Sequence, residues 1–383
     1  MTVTDTTGHD TTKDVLERAR SVSAVVRAHA DEGEQIRRLP AASVEALTDA
    51  GLLRLCVPEV YGGPEASPAT VVQAIEAVAH ADGAAGWCTM IASTTSSMSI
   101  FLEPDVATTI YADPAVVTGG VFAPNGEGVR DGDGFRVTGR WQWGSGTQHC
   151  QWVLGGARCD DGTFRLCFTD ADNVTFHDTW YTSGMRGTGS LDFSFDDVWV
   201  PDTHTMQPGV TRPFVDSPIA KFPNFTLLGA GVAAVGLGVA RRALDELIDL
   251  AGAKKPQYSK RTLAESSFTQ IEFARAEAQL RSARAFLLDE LDQAWSLAAS
   301  GEPVPDDSRV RIRLAAAHVA TTCASVVDTA FTLAGGSAVY DTSVLGRCLR
   351  DAHVVTQHVM TAPKLNETFG KFLLGVDVDT SMI

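Results

Sequence analysis

Val137-Thr138-Gly139-Arg140-Trp141-Gln142-Trp143-Gly144-Ser145-Gly146 is the stretch on which the fold reading turns. It starts with the alternation of a half-buried strand and ends in a serine turn between two glycines. Just upstream, Asp131-Gly132-Asp133-Gly134 carries the Asp-Gly signal of a hairpin. Trp152-Val153-Leu154, Phe164-Arg165-Leu166-Cys167-Phe168 and Leu191-Asp192-Phe193-Ser194-Phe195 continue the strand pattern. The segment before the hairpin, residues 120–126, reads as a short loop. A β domain is therefore expected over residues 117–215.

Both flanks are helical. Over residues 1–116, Val71, Val72, Ile75 and Val78 form a stripe at helical spacing, and Tyr61-Gly62-Gly63-Pro64 marks a turn. Over residues 216–383, long helices are expected from 264 to 299 and from 306 to 334. Long helices with short connections point to an antiparallel four-helix bundle. The order helical, β, helical is an α+β arrangement; no βαβ alternation suggests a Rossmann sheet.

Composition narrows the function classes. The 31 basic against 47 acidic residues leave a charge of −16, which disfavours nucleic acid as a partner. The apolar run from Phe225 to Ala240 is shorter than the roughly 20 residues of a bilayer span, and its glycines suit close helix packing; no membrane segment is read. The polar opening MTVTDTTGHDTT has no basic or apolar signal region, and the seven cysteines have no CxxC spacing. Reduced, mostly buried thiols and a cytoplasmic location are expected. His80, His149 and His177 lack metal-ligand spacing, so no metal is expected, and no serine near residues 183–190 has the setting of a hydrolase nucleophile.

With these residues in order, the chain resembles the acyl-CoA dehydrogenase superfamily over nearly its whole length. The strand-and-turn ending at Ser145-Gly146, the block Gly184-Met185-Arg186-Gly187-Thr188-Gly189-Ser190 followed by Val198-Trp199-Val200-Pro201, the helix segment Val235-Gly236-Leu237-Gly238-Val239-Ala240, Thr332-Leu333-Ala334-Gly335-Gly336 and Arg350-Asp351-Ala352 carry the resemblance. It implies an N-terminal helical domain, a middle β-barrel domain and a C-terminal four-helix bundle. Two branches of that superfamily compete: the dehydrogenases, and flavin-dependent monooxygenases such as the oxygenase component of p-hydroxyphenylacetate hydroxylase, seco-steroid hydroxylase and indole-3-acetate monooxygenase.

A missing base separates the branches. Dehydrogenation needs a carboxylate to take the α-proton. The resemblance places it shortly after Arg350-Asp351-Ala352 or on the first bundle helix near Thr226. The first place reads His353-Val354-Val355-Thr356-Gln357-His358-Val359, and no acid occurs between Asp216 and Asp245. Residues 120–126 also lack the acidic, glycine-rich loop of the dehydrogenases. His358 stands where the monooxygenases resemble this chain, and an imidazole can take or give a proton near neutrality. Taken alone it reads more readily as a hydrogen-bonded core histidine, and the resemblance reverses that preference; His353 reads as structural or as its partner.

The resemblance implies a two-component monooxygenase using reduced FMN or FAD from a separate reductase, with oxygen carried as a C4a-hydroperoxide to a small aromatic such as a phenol or indole. His358 would be its proton handler and Ser145 the stabiliser of the peroxide through flavin N5. Trp143 and the Gly144 and Ser145 amides would meet the ring. Arg261, Thr262, Gly335 and Gly336 would reach a neighbouring subunit's flavin in a homotetramer. Trp87, Phe122, Phe222 and Phe225 would wall the substrate with His358. On local grounds Ser145 is also an ordinary turn serine, Arg261 part of a solvated basic loop, and each aromatic plain core. An FAD-dependent, acyl-CoA-dehydrogenase-like oxidase or desaturase with an unusual base, an amino-sugar N-oxygenase and a non-enzymatic family member are the alternatives.

Overall fold

The computed structural model describes residues 11–380, so most of the polar opening read above lies outside the described residues. Helices α1 (Thr11–Ser21), α2 (Ser23–Ala28), α3 (Ala30–Ile36), α4 (Ala41–Asp49), α5 (Pro68–Ala81), α6 (Gly83–Ser96) and α7 (Pro104–Tyr111) come first. Strands β1 (Thr118–Asp131), β2 (Gly134–Gly144), β3 (Trp152–Cys159), β4 (Phe164–Asp170), β5 (Thr175–His177), β6 (Leu191–Pro201) and β7 (Thr205–Met206) follow. Helices α8 (Pro218–Lys221), α9 (Asn224–Ala253), α10 (Ser267–Ala299), α11 (Asp306–Ala334), α12 (Val344–Val355) and α13 (Leu365–Leu373) complete the chain.

The strands form one mixed sheet ordered β5-β6-β2-β1-β3-β4-β7, in which only the β1–β3 ladder is parallel. The barrel expected here is open. Its outer strands, β5 and β7, hold three and two residues, too few to ladder across the gap. Asp131 pairs with Gly134 in the β1–β2 hairpin, and Gly132 takes the left-handed backbone (φ 61°) that its turn requires. The segment expected as a loop before that hairpin lies within β1, and its pairing to β3 slips between Val121 and Gly126. Trp141 pins this bulge: its indole Nε1 donates to Ala123 O (3.1 Å) and Gly156 O (3.0 Å).

Helix starts follow their caps. Ser67 accepts from the Thr70 amide ahead of α5, with Pro68 at the first position, and Asp82 accepts from the Ala85 amide to start α6. In the bundle, α9 packs against α11 and α5, and α10 against α11. Helix α9 is 30 residues long, well beyond the apolar run in the sequence, and apolar enough by composition to cross a membrane, but 83% of its apolar window is buried inside the protein. Its glycines make that possible. A Cβ on Gly238 would stand 2.4 Å from Glu76 O and 2.7 Å from His80 N, both backbone atoms of α5 or its edge. Gly238→Ala is therefore expected to destabilise the fold by about 1–3 kcal/mol, because neither helix backbone can yield cheaply. Urea unfolding of the variant measures it; an unchanged midpoint would refute the close-packing account.

All seven cysteines are buried and unbridged.

Candidate active site

Strand β2 ends in a distortion that builds the site. Its pairing with β6 slips between Trp141 and Gly144. Trp143 sits in that slip with φ 65°, so its side chain leaves the pleat while Trp141 stays in the core. Trp143 is 68% exposed in the single chain, so it is not a core aromatic. At Gly144 a Cβ would meet Phe193 Cδ1 at 2.6 Å, which restricts that position to glycine. The Ser145 amide donates to Trp143 O (2.8 Å), leaving it engaged within the turn.

The Ser145 side chain is the organised feature. It is 5% exposed, and its Oγ accepts from Trp87 Nε1 at 3.0 Å. It lies 2.6 Å from Ser190 Oγ, which lies 2.6 Å from Thr188 Oγ1. Thr188 Oγ1 in turn donates to Met185 O at 2.8 Å. Three segments thus meet at one hydroxyl: the β2 turn, the middle of α6 and the 185–190 loop.

Trp87 links this hydroxyl to the histidine. Its ring lies 5.5 Å from that of His358, at 73° between planes. Helix α12 ends at Val355, so His358 stands in the following turn rather than on the helix. His353 is an exposed partner of Asp328 (3.0 Å). The His358 turn is tied by Thr361 Oγ1 donating to Val355 O (2.8 Å).

His358 Nδ1 accepts from the Met360 amide at 3.2 Å. In a neutral ring that bond leaves the hydrogen on Nε2. The side chain is half-buried by area, yet burial of the ring, reinforced by the Arg313 guanidinium, lowers its pKa to about 4. Arg313, almost wholly buried on α11, donates from Nη2 to Met360 O (3.3 Å), and Gly229 of α9 makes room for it. One side chain therefore braces the peptide on which His358 rests.

The remaining predicted residues fall into groups. Phe122, on the β1 bulge, and Phe225, in the first turn of α9, are half-buried with rings 6.2 Å apart. Phe222 is 5% exposed and belongs to the main core cluster. Arg261 is exposed, and Thr262 forms a capping box with Glu265. Gly335 and Gly336 are exposed at the end of α11; a Cβ on Gly336 would meet nothing within 4 Å. Lys254 joins these two places: its Nζ donates to Ala334 O (2.5 Å) and Ser337 Oγ (2.8 Å), and its carbonyl accepts the Leu263 amide (2.8 Å).

The acids are elsewhere. Asp351 of the Arg-Asp-Ala segment accepts the Met185 amide at 2.5 Å, and the buried Thr226 hydroxyl near the other expected base position has no hydrogen-bond partner. Among the described residues, no group of three or more His, Cys, Asp or Glu side chains could hold a metal ion. Ser190, Thr188 and Arg313 were not singled out from the sequence; the only linear trace of the first two is a pair of hydroxyls two residues apart among glycines.

Comparison with known proteins agrees with this architecture. The models of "Acyl-CoA dehydrogenase, N-terminal domain" and "Acyl-CoA dehydrogenase, C-terminal domain" match residues 9–103 and 230–363. Indole-3-acetate monooxygenase of Pseudomonas putida is 33% identical over 91% of this chain and 90% of its own length. The flavin-dependent monooxygenase oxygenase subunit HsaA of Rhodococcus jostii is 27% identical over 96% of this chain and all of its own. The crystal structure of 3-HSA hydroxylase from Rhodococcus sp. RHA1 superposes with a TM-score of 0.88, at 27% identity over 97% of this chain and 99% of that one. These three relatives are named as monooxygenases or hydroxylases. The chain belongs to the acyl-CoA dehydrogenase superfamily, in its branch of flavin-dependent monooxygenases.

Proposed function

We propose that this chain is the oxygenase component of a two-component system that hydroxylates a small aromatic substrate, an indole or a phenol, in the cytoplasm. The observation that carries the reading is Trp87, which holds the buried Ser145 hydroxyl with its N–H and meets His358 with its ring. A hydroxyl and a neutral imidazole are fixed around one indole, and among the described residues no carboxylate hydrogen-bonds to either for α-proton removal.

The residues fit a flavin. Ser145 Oγ keeps a valence unused by the protein, Trp143 stands clear of the core beside it, and the Gly336 backbone faces open space that a ligand could enter. Trp143, Gly144 and Ser145 would hold the ring of FMN or FAD. Arg261, Thr262, Gly335 and Gly336 would complete the nucleotide end of a neighbour's site in a homotetramer. Reduced flavin, supplied by a separate reductase, provides two electrons that with O2 place one oxygen in the substrate and release the other as water. Trp87, Phe122, Phe222 and Phe225 exclude water around the aromatic ring. His358, with its hydrogen on Nε2, donates a hydrogen bond to an oxygen that gains negative charge, rather than removing a proton.

The test supplies NADH, a flavin reductase and FMN or FAD under 18O2, with indole-3-acetate and p-hydroxyphenylacetate as probes. One 18O atom in the product is expected. Unlabelled product, or anaerobic bleaching of the flavin by an acyl-CoA, would overturn the reading.

A further inference from the structure

The hydroxyl chain behind Ser145 has a direction. Two oxygen atoms 2.8 Å apart need a hydrogen between them, and Met185 O has none to give, so Thr188 donates to it. That carbonyl also accepts from Trp180 Nε1 (3.1 Å) without changing the requirement. A hydroxyl has one hydrogen. With its hydrogen on Met185 O, Thr188 must accept from Ser190 across their 2.6 Å contact. Ser190, having donated, must accept from Ser145 across theirs, also 2.6 Å. Trp87 Nε1 occupies one Ser145 lone pair. The valence that Ser145 keeps for a ligand is therefore a lone pair and not a hydrogen. All four side chains are buried, between 2% and 6% exposed, so water does not scramble the order.

We propose that Ser190 and Thr188 are positioning residues that lock Ser145 as a hydrogen-bond acceptor, so that the site selects reduced over oxidised flavin. The inference rests on the reading that Ser145 meets the flavin at N5. Reduced flavin carries a hydrogen there and satisfies the lone pair. Oxidised flavin presents a lone pair of its own, and two acceptors face each other. An unsatisfied buried acceptor weakens binding by about tenfold or more. The protein would thus take up the reductase's product and release the spent, oxidised form, with no moving part.

Equilibrium binding of FMN in both redox states, the reduced form under anaerobic conditions, tests this on the wild-type protein and on Ser190→Ala and Thr188→Val. Wild type is expected to bind reduced FMN at least about tenfold more tightly than oxidised FMN. Ser190→Ala frees the Ser145 hydrogen to turn toward N5, so affinity for oxidised FMN should rise and the ratio fall by about tenfold. Each tenfold change in that ratio moves the two-electron potential of the bound flavin by about 30 mV, an independent readout. Thr188→Val, which ends the chain one link further out and keeps the side-chain shape, should act in the same direction, and Ser190→Thr should restore the wild-type ratio. A wild-type ratio near unity, or one unchanged in both Ser190→Ala and Thr188→Val, overturns the proposal while leaving the monooxygenase reading intact. Failure of the wild-type protein to bind either form sinks both.

Discussion

Replacing His358 with alanine is expected to lower the hydroxylation rate by about 10²- to 10³-fold, the range that one hydrogen-bond donor to a developing negative charge contributes. Flavin binding should be unaffected, since the side chain rests on the Met360 peptide and beside Trp87 rather than on the Ser145 turn. The pH profile sharpens the test. A solvated histidine would impose a limb near 6.5. With burial and Arg313 holding His358 down to about 4, the wild-type rate should run flat from neutrality to about pH 5 and fall only as pH nears 4. Stopped-flow turnover with reduced flavin in excess, from pH 5 to 8, measures both effects. Full hydroxylation by His358→Ala would remove it from the mechanism. A limb near 6.5 that disappears in the variant would mean that His358 acts as a base from a solvated position.

Strand starts and the hairpin were legible because each is encoded within a few residues; the helix expected from 264 starts at Ser267, because a separate turn over Leu263–Glu265, capped by Thr262, precedes it. The expected end points 306 and 334 of α11 coincide with the observed helix, since an Asp-rich first turn and a Gly-Gly stop mark both ends locally. What escaped is what depends on partners far away in sequence. The β1 bulge is made by an indole from β2 and a carbonyl from β3, so residues 120–126 alone look like a loop. Trp143 shares its sheet face with Trp141 by counting residues, and only the slip against β6 separates them. His358 is readable as a polar residue after an amphipathic run, but not its tautomer, which the Met360 amide decides from two residues on. The hydroxyl chain is the least legible, because Ser145 and Ser190 are brought together only when β2 and the start of β6 pair. Trp87 adds a third segment, whose position on α6 is set by the Asp82 cap.

That cap belongs to a cluster of charges that joins the segments of the site, and removing its central cation should have a large effect. Asp31 and Glu34 on α3, Asp82 before α6, Arg186 in the 185–190 loop, and Arg347, Arg350 and Asp351 on α12 converge there. Most of them line a cavity of about 10 Å³, room for one water at most. Arg347 pairs with Asp31 and reaches Glu34 at 3.7 Å; Arg350 pairs with Glu34; Asp351 takes the Met185 amide. Four carboxylates face three guanidinium groups, so one negative charge has no counterpart. Burial, and after it the neighbouring Asp82, push Asp351 up to about 7 despite the Met185 amide and Arg347. Arg347→Met keeps the apolar stem and removes the charge, leaving four carboxylates with two cations. Asp31 is largely exposed and Glu34 partly buried, so the loss lies between that of an exposed and a buried ion pair, about 1–3 kcal/mol. The pH dependence distinguishes charge from packing. Asp351 has an ordinary value of 3.8, so between that and about 7 the folded protein keeps a proton that the unfolded chain has released. Stability from this group therefore falls as pH rises through that window, and loss of Arg347 extends the same trend by raising Asp82 and Asp351 further. Urea unfolding of Arg347→Met should show the larger loss at pH 8 and a smaller one at pH 5.5, where the acids can protonate. An equal loss at both would mean that Arg347 serves as packing, and that the junction supporting Trp87 and the Ser190 loop is held by shape rather than charge.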